Sequence, residues 1–393
     1  CAAEKRRRRK RGTYPDPATR LAINARVCEG CGDCSAQSNC LSVEPLATAF
    51  GEKRRINQSS CNKDFSCVNG FCPSFVEVHG ARLAVADGDR LDVGALAARL
   101  PRPEARPLLD TRNILVAGIG GMGVTTIGAT LAMAGHLDGL SVSTLDMTGL
   151  AQKGGPVTSH VRLAPAGAPI EGARIPPTGL DVLLASDLLV ATTVEHLTLF
   201  DPGRTFAVLN TRVAPTAEFV MRQTLSFDVG RMRRTLAEGS RAVAEVDAAG
   251  IAEALFGDTI YANMLLVGLA WQRGAIPLTL EALETAIRLN GAAVATNLKA
   301  LHAGRALAAE PETVLAALPA EPASPAMDLD ARIAFLTAEL AAYQDTAYAA
   351  RFRDTVTRIR AADVAHGPGT TRLTTLVVEN LFRVMAVKDE YEV

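Results

Sequence analysis

The chain has 393 residues, 48% of them hydrophobic and 21% charged, with a formal net charge of -1 at pH 7. That length and apolar content suit two or three globular domains, and near-neutrality gives no overall pull toward nucleic acid or a membrane surface. No stretch approaches the roughly 20 apolar residues of a membrane span, because the best candidate, 182–194, is interrupted by Asp187.

The first feature in chain order is Lys5 to Arg11, seven consecutive basic residues. Such a run can bind phosphates or nucleic acid. Beside a start at Cys1 without methionine, it reads instead as a surface or domain-junction helix near the cut end of a longer polypeptide, with no nucleic-acid partner. Tyr14-Pro15-Asp16-Pro17 then breaks any helix and opens a new module.

All eight cysteines lie in the first 72 residues, and seven fall between Cys28 and Cys72. The triplet Cys28-x2-Cys31-x2-Cys34 wraps three thiolates around several metal atoms at once, and Cys72-Pro73 is the ending of two-cluster bacterial ferredoxins. Zinc usually draws paired ligands from two loops, and a disulfide framework belongs to small secreted chains. Two iron–sulfur clusters fit the spacing better than either. With the Cys-Pro thiolate serving the opposite cluster, Cys28, Cys31, Cys34 and Cys72 hold the first cluster, and Cys40, Cys61 and Cys67 the second. Asp64 stands where a full repeat has its middle cysteine. A carboxylate is a harder and more weakly held iron ligand. The second cluster is therefore [4Fe–4S] with one oxygen ligand or [3Fe–4S] with an empty corner, unless Asp64 is a solvated loop residue. Clusters and free thiolates need a reducing compartment, so the expected location is the cytoplasm.

A short alternating strand at 75–78 closes the module, and 81–110, rich in proline and glycine, reads as a linker. A buried strand at 113–117 then feeds Gly118-Ile119-Gly120-Gly121-Met122-Gly123 and a helix over 124–137. A second strand over 140–145 runs into Asp146, which formally completes a dinucleotide fingerprint. The amides of Gly118, Gly120, Gly121 and Gly123 could face a phosphate, although close packing at a strand–helix corner asks for the same residues. Thr125 and Thr126 suggest a P-loop, but no lysine follows the glycines. Blocks at 182–185, 188–190 and 205–209 continue one α/β sheet as strands or helices, and 279–301 reads as one helix. Residues 308–326 form a second linker, and about three helices follow it.

Together these blocks resemble the C-terminal half of the fused indolepyruvate ferredoxin oxidoreductases, members of the 2-oxoacid:acceptor oxidoreductases. The match lies in Cys28-Glu29-Gly30-Cys31-Gly32-Asp33-Cys34, in Gln58 to Cys67 and in Gly70-Phe71-Cys72-Pro73. It continues in Gly149 to Arg162, which is similar to the signature loop of the gamma domain, and in the segments 343–350 and 385–391. The resemblance implies a multidomain α/β chain. Residues 1–15 would be the tail of an upstream thiamine diphosphate domain, 16–80 a ferredoxin-like module with two clusters, and 81–110 a linker. A Rossmann-like gamma domain would occupy 111–307, a linker 308–326, and a helical C-terminal domain 327–393.

It further implies oxidative decarboxylation of an aryl pyruvate with coenzyme A, thiamine diphosphate and magnesium being held on the upstream domain or subunit and ferredoxin taking the electrons. No thiamine motif occurs here, so this segment would not turn over alone, and no catalytic residue is assigned. A homo-oligomer is expected. Gln152, Lys153, Gly154 and Gly155 would lie in an interface loop or touch substrate or coenzyme A, with Lys153, His160 and Arg162 as its charged members. The competing reading is an iron–sulfur reductase whose α/β domain binds a nicotinamide or flavin.

Overall fold

The structure, a computed structural model, describes residues 2–70, 72–81, 91–104, 107–149, 154–214, 228–319, 327–367 and 371–386. The basic run forms α1 (Ala2–Lys10). The cysteine module follows as two antiparallel pairs: β1 (Thr19–Ile23) with β4 (Phe75–His79), and β2 (Val43–Thr48) with β3 (Gly51–Ile56). A short helix, α2 (Asp33–Ser38), lies between β1 and β2, and a 3₁₀ turn, Ser66–Val68, lies between β3 and β4. Each cysteine loop thus sits in the same strand, loop, helical turn, strand sequence, used twice. Among the described residues, Leu21, Val43 and Ile56 form the module's buried apolar core. At about 1.5–3 kcal/mol for each such side chain, that core is small for a free-standing unit, and small domains lean on metals or neighbours.

Besides a hydroxyl hydrogen bond between Ser59 and Thr259, neighbours hold it at two places. At the β2–β3 turn, Phe50 meets Phe335 and Phe382, with ring centroids 5.5 and 6.2 Å away. Arg332 donates to the Ala49 carbonyl and forms a fork with Glu379 at 2.7 and 2.8 Å. These partners belong to three C-terminal helices, α13 (Leu329–Tyr343), α14 (Thr346–His366) and α15 (Arg372–Met385), packed around Leu336, Leu340, Phe352 and Val378. The other support is α1.

The α/β domain carries one six-stranded sheet in the order β10-β9-β8-β5-β7-β6. Its strands are β5 (Arg112–Ile119), β6 (Ser141–Thr148), β7 (Pro156–Ala164), β8 (Val182–Ala185), β9 (Phe206–Asn210) and β10 (Ala242–Val246). Side chains alternate across a strand. Ile114 and Val116 therefore join one core with Val182, Leu184 and Val208, and Leu115 and Ala117 join another with Leu183, Ala185 and Leu209. The first face is covered by α4 (Val124–Leu137), α8 (Ala248–Phe256), α9 (Ala262–Gln272), α10 (Leu280–Asn290) and α11 (Val294–Ala309). The second is covered by α5 (Leu188–Ala191) and α7 (Val229–Glu238), with α6 (Val194–Leu197) alongside. Among the described residues no helix is long and apolar enough to cross a membrane.

Several boundaries differ from those expected. The linker over 81–110 contains α3 (Val93–Arg99), which Asp92 caps and which buries Leu96 in the first core. Residues 279–301 form two helices, because Gly291 at φ 73° closes α10 and Ala293 turns the chain at φ 43°. The second linker begins as helix, with α11 reaching Ala309 and α12 (Pro311–Ala316) following. Residues 156–162 of the expected signature loop belong to the strand β7. It runs antiparallel between β5 and β6, so the strand carrying Asp146 lies at the sheet edge, two places from the glycine turn. The acid also sits inside β6 rather than at its end. A dinucleotide site needs the second strand beside the first, so the fingerprint does not assemble.

Helices α9 and α11 cross in near backbone contact. A Cβ on Gly268 would overlap the Leu301 carbonyl, and one on Gly304 the Leu265 carbonyl. Alanine would raise helix propensity by about 1 kcal/mol, but a backbone carbonyl cannot yield as a flexible side chain can. Gly268→Ala and Gly304→Ala are each expected to destabilise the protein by about 1–3 kcal/mol, read as a lower melting temperature in calorimetry. Unchanged melting would contradict this packing.

Candidate metal centre

The two cysteine loops share one backbone pattern. In the first, Gly30 and Gly32 take φ 72° and 80°; in the second, Lys63 and Phe65 take φ 51° and 60°. Positive φ is costly for residues other than glycine, so Lys63 and Phe65 are held there by the loop's other bonds. The Gly30 amide donates to Cys28 Sγ at 3.3 Å, and the Lys63 amide to Cys61 Sγ at 3.3 Å. Gly32 and Phe65 then lead into the helical turns carrying Cys34 and Cys67. In this repeat Asp64 occupies the place of Cys31, and both side chains are exposed. Asp64 Oδ1 accepts from the Ser66 amide and hydroxyl at 3.3 and 2.9 Å, leaving Oδ2 without a hydrogen bond among the described residues.

The thiols fall into two neighbourhoods. Cys34 interacts with Cys28 and Cys31, and Cys67 with Cys40, Cys61 and Asp64. Cys40 therefore reaches across to the second loop. Cys72 lies on the first loop's side, since the Ser74 carbonyl accepts from the Asn24 amide at 2.8 Å and the Asn24 carbonyl accepts from Cys28 at 2.9 Å. Burial, reinforced by Cys40 and Cys61, pushes the Cys67 thiol up to about 12. Burial raises Cys34 as well. Thiols placed like this become thiolates only beside strong positive charge, which a bound metal supplies. Among the described residues no three of His, Cys, Asp and Glu converge tightly enough to hold a single ion. Ligands spread around several iron atoms do not need to. The donor set thus fits a cluster.

The glycine turn is built largely by protein contacts. A Cβ on Gly118 would strike Val124 and Ser186, and one on Gly123, at φ 80°, would strike the Asn263 amide. Gly121 takes φ 99° facing open space. Gly120 donates to the Gly155 carbonyl at 2.7 Å, which joins this turn to the block at 154–155, and Asn263 donates to the Met122 carbonyl. Gln152 and Lys153 lie outside the described residues, as does 387–391 of the C-terminal match.

His160 and Arg162 sit on β7 and serve the fold. His160 accepts the Ile175 amide through Nδ1 at 3.3 Å, and burial, with His196 and Arg174 adding to it, lowers its pKa to about 4. Arg162 donates to Asn113 Oδ1 at 2.9 Å and to the carbonyls of Glu171 and Gly172.

Asp187, seen in the sequence only as an interruption, is fully buried at the end of β8, where Oδ1 accepts from Val190 and caps α5. Burial pushes its carboxyl up to about 6. An acid directly before an apolar run is a helix-start signal and could have found it. Asn263 carries no comparable signal.

The profile of a family described as pyruvate ferredoxin/flavodoxin oxidoreductase matches residues 113–307, and that of a family of unknown function, DUF6537, matches 329–393. The chain is 33% identical over 210 residues to the indolepyruvate oxidoreductase subunit IorB of Archaeoglobus fulgidus, covering 51% of this chain and 98% of that relative. The subunit of the same name from Methanothermobacter thermautotrophicus is 28% identical over 200 residues, covering 50% and 98%. Among solved structures, the pyruvate oxidoreductase subunit PORC of Thermotoga maritima is similar at 20% identity and a TM-score of 0.37, covering 50% of this chain and 96% of that one.

The buried Asp187 gives a signed pH test. Its folded pKa, about 6, exceeds its ordinary 3.8, so its contribution to stability is full in acid and is lost as pH rises through about 6. Asp187→Asn keeps an acceptor for Val190 and removes the charge. The variant is expected to exceed the parent in stability at pH 8 by about 1–3 kcal/mol and to lose that advantage at pH 4, in paired denaturant melts. His160 acts oppositely, its contribution being lost as pH falls from about 6.5 through 4, but it cancels in the comparison. Equal gains at both pH values would rule out the buried charge as the cause.

Proposed function

The chain belongs to the 2-oxoacid ferredoxin oxidoreductase family, and from that premise we propose that it is the electron-transfer and gamma-domain segment of an enzyme that oxidatively decarboxylates an aryl pyruvate such as indolepyruvate. The observation carrying the electron-transfer part is the repeated cysteine loop with Cys40 crossed onto Cys61 and Cys67. Cys28, Cys31, Cys34 and Cys72 would hold one cluster, and Cys40, Cys61, Cys67 and Asp64 the other. Bound clusters supply a one-electron relay toward ferredoxin. The protein's share is to exclude water from the thiols, hold them at the ends of two matched loops, and direct the Gly30 and Lys63 amides at sulfur.

The indolepyruvate assignment is supported by the two IorB relatives. Thiamine diphosphate and magnesium would sit on a partner domain or subunit, and coenzyme A would be the acyl acceptor. Of the glycine turn, Gly121 faces open space and would be where coenzyme A phosphates approach, since the Gly120 and Gly154 amides are taken up by the Gly155 and Gly120 carbonyls and Gly123 packs against Asn263.

Anaerobically purified protein is expected to be brown, to contain about seven or eight irons per chain, as one four-iron cluster and one of three or four irons imply, and to give cluster signals in electron paramagnetic resonance. Colourless protein retaining zinc would contradict the reading. Asp64→Cys is expected to convert the second cluster to a fully thiolate-bound cubane and to lower its potential, since thiolate donation stabilises the oxidised state. An unchanged spectrum and potential would remove Asp64 from the ligand set.

A further inference from the structure

The basic helix α1 lies against the second cysteine loop, and its residues divide cleanly by face. Arg6 and Arg9, three apart and therefore on one face, are half-buried, whereas Lys5, Arg7, Arg8 and Lys10 are exposed. Arg6 Nη1 donates to the Ser60 carbonyl at 2.8 Å, and Arg9 Nη1 donates to the carbonyls of Asn62 and Lys63. These three carbonyls flank Cys61, and the Arg6 charge acts on the Cys61 thiol. Arg9 is fixed in turn by the Tyr14 ring, 5.5 Å away, and by the Pro15 carbonyl at 3.1 Å. Arg7 and Arg8 pair with Glu4 on the solvent side.

The charge around the loop is unbalanced. Among the described residues, Arg6, Arg9, Lys10 and Lys63 meet two carboxylates, Asp16, which Lys63 meets at 2.7 Å and Arg9 at 4.0 Å, and Asp258, which Lys10 pairs, while the loop itself carries a third, Asp64. Four cations against three carboxylates, Asp64 included, leave an excess of one positive charge beside a group whose net charge becomes more negative by one on reduction. Partly buried charges are screened weakly by salt, so this field acts on the cluster rather than dissipating in solvent.

We propose that Arg6 and Arg9 are positioning residues that clamp the Ser60–Lys63 backbone and raise the reduction potential of the second cluster. The proposal rests on the cluster reading above. It gives a role to the one charge block of the sequence, and it makes α1 part of the cluster's environment.

The test is a potentiometric titration of the full chain followed by electron paramagnetic resonance, with iron content measured alongside. Arg6→Gln is expected to move the second cluster's midpoint downward by about threefold to tenfold in the reduction equilibrium, tenfold being 59 mV for one electron, and to leave the first cluster's midpoint in place. Arg7→Gln, the same charge change on the solvent face, is expected to move neither. If Arg6→Gln loses the second cluster, Arg6→Lys and Arg9→Gln decide, with the midpoint expected to hold in the first and fall in the second. Equal midpoints in Arg6→Gln, Arg7→Gln and the parent overturn the clamp, as do equal shifts in the two variants. A parent chain that binds no iron overturns the clamp and the cluster reading together.

Discussion

The rest of the molecule is organised around the short segment from Asp258 to Asn263, because α1, the cysteine module and the glycine turn of the α/β domain are all bonded there. Asp258 accepts from Lys10 of α1 and caps the turn at Ile260. Thr259 shares a hydroxyl hydrogen bond with Ser59, at the root of the second cysteine loop. Ile260 lies beside Gly123, and Asn263 joins the Met122 carbonyl to the Ser186 hydroxyl at the end of β8. A displacement of this segment would be felt by the cluster loop and the glycine turn together, since both use it as a wall. The module's own apolar core is too small to make it independent of such support, and the Phe50 contact with the C-terminal helices steadies its opposite edge.

The features most legible in the sequence were those whose chemistry depends on local spacing. The cysteine loops, the strand into Gly118, the helix over Val124–Leu137 and the trio of C-terminal helices all follow from short-range pattern, and the structure has them at or near the expected residues. What escaped depends on long-range pairing. Residues 156–164 follow two glycines and begin with proline, which reads as loop. They become β7 because β5 and β6 each offer it a free edge. Nothing local announces that choice, yet it moves Asp146 away from the glycine turn and removes the dinucleotide reading. Likewise α3 lies in a stretch punctuated by proline and glycine, and it is helical because Val93 and Leu96 find a hydrophobic wall.

The charged residues of the signature block make the same point about function. Sequence alone offers Arg162 and His160 as charged members of a block that lines an interface or touches substrate or coenzyme A, although His160 by itself, on an alternating apolar stretch, reads as a hydrogen-bonded core residue. In the fold His160 Nδ1 accepts from the Ile175 amide, and Arg162 Nε and Nη1 donate to Asn113 and to the Glu171 and Gly172 carbonyls. A buried charge left without partners is costly, so these bonds are what permit the residues to be there at all. Arg305 is similar, nearly fully buried with its guanidinium on Gln272 at 3.0 Å and over the Trp271 ring. Conspicuous residue types mark strong local constraints, and only their partners reveal whether a constraint concerns a ligand or the core.

Asp64 differs from these residues because its environment leaves it available. The two cysteine loops superpose in their pattern of left-handed residues, amide-to-sulfur bonds and helical turns, so the loop backbone has no need of a cysteine at that position. Both occupants of the position, Cys31 in one loop and Asp64 in the other, are exposed, and neither contributes to the Leu21, Val43 and Ile56 core. Exchanging one for the other therefore costs the fold little, while in the proposed cluster it would change the donor at the corner nearest solvent. Cys28, Cys34, Cys40, Cys61 and Cys67 are buried or half-buried, and substitution at any of them would disturb packing as well as ligation. The exposed position is thus where two matched loops can be made chemically unlike without unfolding either, which is what the proposed pair of unlike clusters would require.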